Sequence, residues 1–184
     1  MDLHRTCTFF VYRCAHICFA LIRGRALSFG VGGLDENSLV ESVVSRFRSA
    51  GFDVYRNVVL DDVEFDVVAL EASSDRVYVH VVEVKRRPRD KVYKQIWRRI
   101  ELADYLYIAI PYSFYTWALT RVDPRVGIIL IKNGDVVVFR RPVYLGKGIA
   151  IVRSMCRSYA FVSGFLNRVC ERFAGSSQQI LSTA

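Results

Sequence analysis

A chain of 184 residues, 52% of them hydrophobic, is long enough for one domain with a sizeable core and too short for two full ones. Its 26 Lys and Arg against 18 Asp and Glu leave a net charge of +8, which favours an acidic partner, either nucleic acid or a membrane surface. Five cysteines, an odd number without regular spacing, argue against a disulfide framework and point to a reducing, cytoplasmic setting.

In chain order, the apolar run from Phe9 to Ile22 is interrupted by Arg13 and His16 and followed by Arg23 and Arg25. It is too short and too charged for a membrane span, and its arginines lie on the wrong side for a signal peptide. Cys7, Cys14, His16 and Cys18 lack a second ligand pair at zinc-finger spacing, so they read as apolar cysteines. Residues 1–30 are therefore an apolar and basic extension outside the core, which an early start codon would also explain.

From Asp35 the pattern tightens. Asp35 or Asn37 caps a helix whose apolar positions Leu39, Val43, Val44 and Phe47 follow a helical period up to Gly51, with Glu41 on the same helix. Phe52–Leu60 has the aromatic and β-branched content of a strand, and Asp61-Asp62 turns it into a second strand carrying Asp66. The polar break Glu71–Asp75 is short enough for a hairpin into a third strand, which ends in Glu83-Val84-Lys85. Strand side chains alternate, so Glu83 and Lys85 share one face while Val82 and Val84 take the other, and the hairpin lays Asp66 beside the Glu83 end. Two carboxylates and a lysine in almost wholly apolar strands outline a divalent-metal site. The plainer alternative is a cross-strand salt bridge of little consequence for stability. His80 falls on the face opposite Glu83 and has no assigned role.

The chain then turns strongly basic, with Arg86, Arg87, Arg89, Lys91, Lys94, Arg98 and Arg99 in a short span. Pro88 suits a helix start, and Val92, Ile96, Ile100 and Ala103 form a buried helical stripe. The basic residues occupy the remaining faces, either as a solvated surface or, beside a metal site, as contacts to a phosphate backbone. Gln95 is polar amid this pattern and points toward the site; Tyr93 and Trp97 either stack on bases or pack inward. Beyond lie a strand at Tyr105–Ile110, a short helix over Tyr112–Thr120, and a hairpin around Asn133-Gly134 that joins Gly127–Ile131 to Val136–Phe139. The order α, β, β, β, α, β, α, β, β defines an α/β class with a mixed central sheet. A core over residues 31–145 is followed by an amphipathic helix within 146–175, interrupted at Gly164, and by a Ser- and Gln-rich tail over 176–184.

A helix bearing Glu41, then Asp66, then Glu83-Val84-Lys85, then a helix bearing Gln95 and an apolar strand resembles the PD-(D/E)XK nuclease superfamily over roughly residues 35 to 140. The short archaeal Holliday-junction resolvases and the Mrr-type restriction endonucleases are closest in pattern. Phe65 stands where the family name has proline. Arg99 stands four residues after Gln95, where the RecB-type branch has tyrosine.

The resemblance implies a restriction-endonuclease-like αβββαβ core flanked by helices, with Mg²⁺, or Mn²⁺ in its place, and no small-molecule cofactor. It implies Asp66, Glu83 and the Val84 carbonyl as metal ligands, with Glu41 completing a second metal position or orienting water. Lys85 orients or helps deprotonate the attacking water, and Gln95 completes the catalytic set. The implied function is a metal-dependent DNA endonuclease of resolvase or restriction and repair type, acting on branched or foreign DNA; resolvase action requires a homodimer. Two alternatives stand beside it: an inactive nuclease-fold protein that only binds nucleic acid, and a membrane-associated accessory protein using the apolar leader and the C-terminal amphipathic helix.

Overall fold

The computed structural model describes residues 35–74, 76–89, 91–159 and 164–171. The readings made for residues 1–30 and for the tail lie outside these residues. Helix α1 (Glu36–Ser49) starts where Asp35 Oδ1 accepts the Ser38 backbone N–H at 2.7 Å, which satisfies one of the first-turn donors that the helix itself cannot. Strands β1 (Asp53–Leu60), β2 (Val63–Ala72) and β3 (Val77–Val84) follow, then α2 (Lys91–Ile100) and β4 (Tyr105–Pro111). A single 3₁₀ turn over Tyr112–Phe114 leads into α3 (Tyr115–Arg121), β5 (Gly127–Lys132), β6 (Asp135–Arg140) and α4 (Ile149–Tyr159). A further helix, α5, covers 164–171. The short turns have their chemical causes in place. Asp61 and Asp62 both take positive φ between β1 and β2, and Asn133 and Gly134 do the same between β5 and β6, as two-residue hairpin turns demand.

The strands form one six-stranded sheet in sequential order. β2 is antiparallel to both β1 and β3, β3, β4 and β5 are parallel, and β6 returns antiparallel to β5. Alternation divides the apolar side chains between two cores. Leu39, Val43, Val44 and Phe47 of α1 pack on Val67, Ala69, Val82, Val84, Ala109 and Ile129. On the opposite face Val92, Ile96 and Ile100 of α2, with Met155 of α4 and Leu166 of α5, pack on Val79, Val81, Leu106, Ile108 and Ile128. With helices on both faces, the central strands are buried on both sides, which is why β3 reads as a continuous apolar run in which charged residues stand out.

The sequential order of strands and helices agrees with the sequence reading, and so do the α2 stripe and the division of Glu83 from Val82 and Val84. Two details differ. α2 begins at Lys91 rather than at Pro88. Cys156 of α4 and Cys170 of α5 form a disulfide with their Cα atoms 5.4 Å apart, which corrects the expectation that the cysteines do not pair. The fourteen-residue separation became bridgeable because both helices dock on the same sheet face. Among the described residues no helix is long and apolar enough to cross a membrane.

Candidate active site

The β2–β3 ladder runs from Ala72↔Val77 to Val67↔Val82, so the next positions along it are Asp66 and Glu83. There a side chain takes over from the backbone: Asp66 Oδ2 accepts the Val84 N–H at 2.7 Å. One residue on, the Lys85 N–H donates to the Ala109 carbonyl at 2.9 Å and pins the end of β3 to β4. The site thus sits at the C-terminal end of a central strand, held by main-chain hydrogen bonds on both sides.

Three oxygens converge on Lys85. Its Nζ lies 2.7 Å from Glu83 Oε1, 2.9 Å from the Val84 carbonyl oxygen and 3.1 Å from Asp66 Oδ2, with Glu36 Oε1 at 4.0 Å. Glu83 is wholly buried and carries a second ion pair, from Arg99 Nε to Oε2 at 2.8 Å. Neither Glu83 oxygen meets hydrogen-bond geometry, so these contacts are charge pairs and not aligned hydrogen bonds.

Burial holds the Glu83 carboxyl above the usual carboxylate range; the neighbouring Asp66 adds to the rise, and Lys85 and Arg99 only partly offset it. For Lys85 burial acts downward, yet Glu83 and Asp66 outweigh it and hold the ammonium above its ordinary value. In this state Lys85 is a charge donor to its neighbours and not a proton acceptor.

The cluster opens into a cleft of about 400 Å³. Glu36, Asp62, Glu64 and Asp66 supply its acidic wall, while Lys94, Gln95 and Arg98 of α2 line it from the other side. A cleft lined by both carboxylates and cations suits a ligand that carries phosphates on a metal ion. Among the described residues no group of three or more His, Cys, Asp or Glu side chains forms a metal cage.

Of the residues predicted from sequence, Asp66, Glu83, Val84 and Lys85 come together, and Gln95, Lys94 and Arg98 face the same cleft. Glu41 does not. It is exposed and paired with Arg56 of β1, and the acidic residue that α1 brings to the cleft is Glu36. Five residues of α-helix turn about 140° and advance about 7.5 Å, so one position excludes the other. Glu36 also accepts the Arg86 backbone N–H at 3.1 Å, which ties the start of α1 to the segment leaving β3.

Arg99 is the second correction. It is largely buried, and its guanidinium donates to the carbonyls of Gln95 and Glu64, pairs with Glu83 and lies over the Phe65 ring, so although it lines the cleft its charge is taken up by the protein's own groups. Arg87, Arg89 and Lys91 are exposed, as is Arg86. Tyr93 packs against Trp117, whereas Trp97 is exposed with the Arg125 guanidinium over its ring. Glu36, Asp62 and Glu64 were missed by sequence reasoning. The signal available for Glu36 was its place in the first turn of α1, at the end nearest the C-terminus of β3.

No family model matches this chain, and no curated protein matches it. Among solved structures it is similar to a protein of unknown function from Silicibacter pomeroyi, with a TM-score of 0.53 and 16% identity over 72% of this chain and 89% of that one. That likeness concerns the fold alone.

Proposed function

We propose that this protein is a metal-dependent nuclease that hydrolyses DNA phosphodiester bonds, built on a restriction-endonuclease-like core. The observation that carries the reading is the convergence of Asp66, Glu83 and the Val84 carbonyl around the Lys85 ammonium, beside a cleft lined by Asp66, Lys85, Lys94 and Arg98. The donor set fits a hard divalent cation such as Mg²⁺, which accepts one or two protein carboxylates, keeps several waters and takes the rest of its shell from substrate phosphate. The Lys85 ammonium already stands among these oxygens, which supports reading them as a cation-directed set. Asp66, Glu83 and the Val84 carbonyl would hold the ion.

When bound, that ion supplies positive charge against the scissile phosphate and makes water more acidic. The chain's own residues do the rest. Asp66 is oriented by the Val84 N–H, and Glu83 by Lys85 and Arg99, so both carboxylates are positioned before substrate arrives. Lys85, protonated in this state, faces the cleft and offsets charge that develops on the phosphate oxygens. Lys94 and Arg98 meet the flanking backbone, and each phosphate they neutralise adds salt dependence to binding. A second reading, a nuclease-fold protein that binds DNA without cutting it, is favoured by the Arg99 contact, because a carboxylate already paired with two cations is a weaker ligand.

Cleavage of plasmid and junction DNA with Mg²⁺ tests the choice. Wild-type protein is expected to cut, and Glu83→Ala and Lys85→Ala are expected to lose cutting while keeping salt-sensitive binding. Equal activity in all three removes the site; binding with no cleavage by wild type under Mg²⁺ or Mn²⁺ selects the second reading.

A further inference from the structure

The C-terminal ends of β3, β4 and β5 lie side by side, and the residues that leave them carry unlike chemistry. β3 ends at Val84, and Lys85 of the site follows it. β4 ends at Pro111 and is followed by Tyr112 and Tyr115, whose rings stack at 5.5 Å between centroids and 24° between planes. β5 ends at Lys132, whose Nζ lies 5.4 Å from the centre of the Tyr112 ring.

The parallel pairing of β3 with β4 and of β4 with β5 puts these groups at one edge of the sheet. Glu83 continues the parity of Val79 and Val81 and Lys132 that of Ile128 and Leu130, while Tyr112 opens the 3₁₀ turn after Ile108 and Ile110, whose Phe114 packs on the same core. Every one of those apolar strand residues belongs to the core beneath α2. Val84 pairs with Ala109, so Tyr112 stands one strand across from Lys85 and two residues beyond its level.

Tyr112 and Tyr115 remain 49% and 41% exposed. A scattered exposed aromatic is ordinary, but a stacked pair with an ammonium over the Tyr112 ring, at the sheet edge where β3 also ends, offers a strand of nucleic acid a flat π surface on Tyr115 for a base and a cation for the adjoining phosphate. Stacking of this kind requires a base that is out of its duplex, since a paired base presents only its edge.

We infer that Tyr112 and Tyr115, with Lys132, form a landing site for an unpaired base of the DNA strand that enters the cleft. This inference rests on the nuclease reading and extends it to a substrate class, DNA with a single-stranded tail, gap or branch. The platform sets strand geometry and takes no part in the chemistry.

The test uses full-length protein and two DNAs of equal duplex length, one blunt and one with a short single-stranded tail holding a fluorescent adenine analogue. Binding is measured in EDTA and cleavage with Mg²⁺. Wild type is expected to prefer the tailed DNA and to quench the analogue by stacking. Replacing both tyrosines by alanine is expected to cut tailed-DNA affinity by about tenfold and to change blunt-duplex affinity by less than about twofold. Replacing both by phenylalanine keeps the π surface and is expected to behave as wild type, which separates stacking from misfolding.

Unchanged tailed-DNA affinity in the alanine variant overturns the landing site, as does a phenylalanine variant as weak as the alanine one. Cleavage by wild type without any tyrosine-dependent preference removes the landing site and leaves the nuclease reading standing. Tyrosine-dependent stacking without cleavage does the reverse, and a wild type that neither binds nor cuts removes both.

Discussion

Glu83 is the residue on which the site's electrostatics turn. Its side chain is wholly buried between Lys85 and Arg99, and burial holds its carboxyl above the reference value of 4.5. The linkage sign follows from that direction. A raised folded-state value means that the stability associated with the bound proton is fully present below 4.5 and is lost as pH rises through the folded value. Glu83→Gln keeps the shape, carries no ionisable proton, and escapes that loss. Its stability relative to wild type is expected to climb with pH above 4.5 and then level off, as read from urea melts between about pH 4 and about pH 8. A difference that stays constant or falls with pH would contradict burial as the dominant influence.

Arg99 tests the same pair from the other side. Arg99→Met leaves Glu83 with one cation in place of two and is expected to cost about 3 kcal/mol, because an uncompensated buried charge costs more than the pair is worth. Adding Glu83→Leu should recover part of that loss in the urea midpoint, since no buried carboxylate is then left behind.

At the scale of elements, helix α1 and strand β3 meet in a way that local periodicity does not determine. The spacing of Leu39, Val43, Val44 and Phe47 defines the buried stripe of α1, and both Glu36 and Glu41 lie off it. Which of them reaches the cleft depends on which end of α1 abuts the end of β3. α1 joins β1 through a tight turn at Gly51, and β1 and β3 point the same way, each being antiparallel to β2. The start of α1 therefore lies at the end of β3, and Glu36 is the residue there. Glu36→Gln is expected to weaken Mn²⁺ binding by about tenfold, as changes to groups surrounding a metal position do. Glu41→Gln, which loses only an exposed pair with Arg56, is expected to leave it unchanged. Calorimetric titration with Mn²⁺ checks both.

The same distinction decides how much of the site was legible. Asp66, Glu83 and Lys85 could be placed because they sit on paired strands, where alternation and a short hairpin leave little freedom. Arg99 could not, because a helix with basic residues on several faces does not declare which one turns inward. Its partners Glu64 and Glu83 come from two different strands.

At the scale of the whole molecule, one sheet is covered by α1 on one face and by α2, α4 and α5 on the other, and the Cys156–Cys170 disulfide ties α5 to α4. Closing a loop of this size restricts the unfolded chain, and reduction is expected to lower stability by about 3 kcal/mol. Denaturation with and without reductant measures the loss, and hydrogen exchange should place the first loosening at 164–171, where Leu166 and Val169 dock on the core.

What the sequence by itself determined is the set of elements, their order and the side chains that share a face, because periods of two and of 3.6 are properties of the local backbone. Only the tertiary structure decided that Glu36 and not Glu41 enters the cleft, that Arg99 is a buried partner of Glu83, that two cysteines pair, and that Lys132 lies over the Tyr112 ring. Each of these depends on which surfaces of distant elements come together, and a local period says which residues are neighbours on a face without saying what that face will meet.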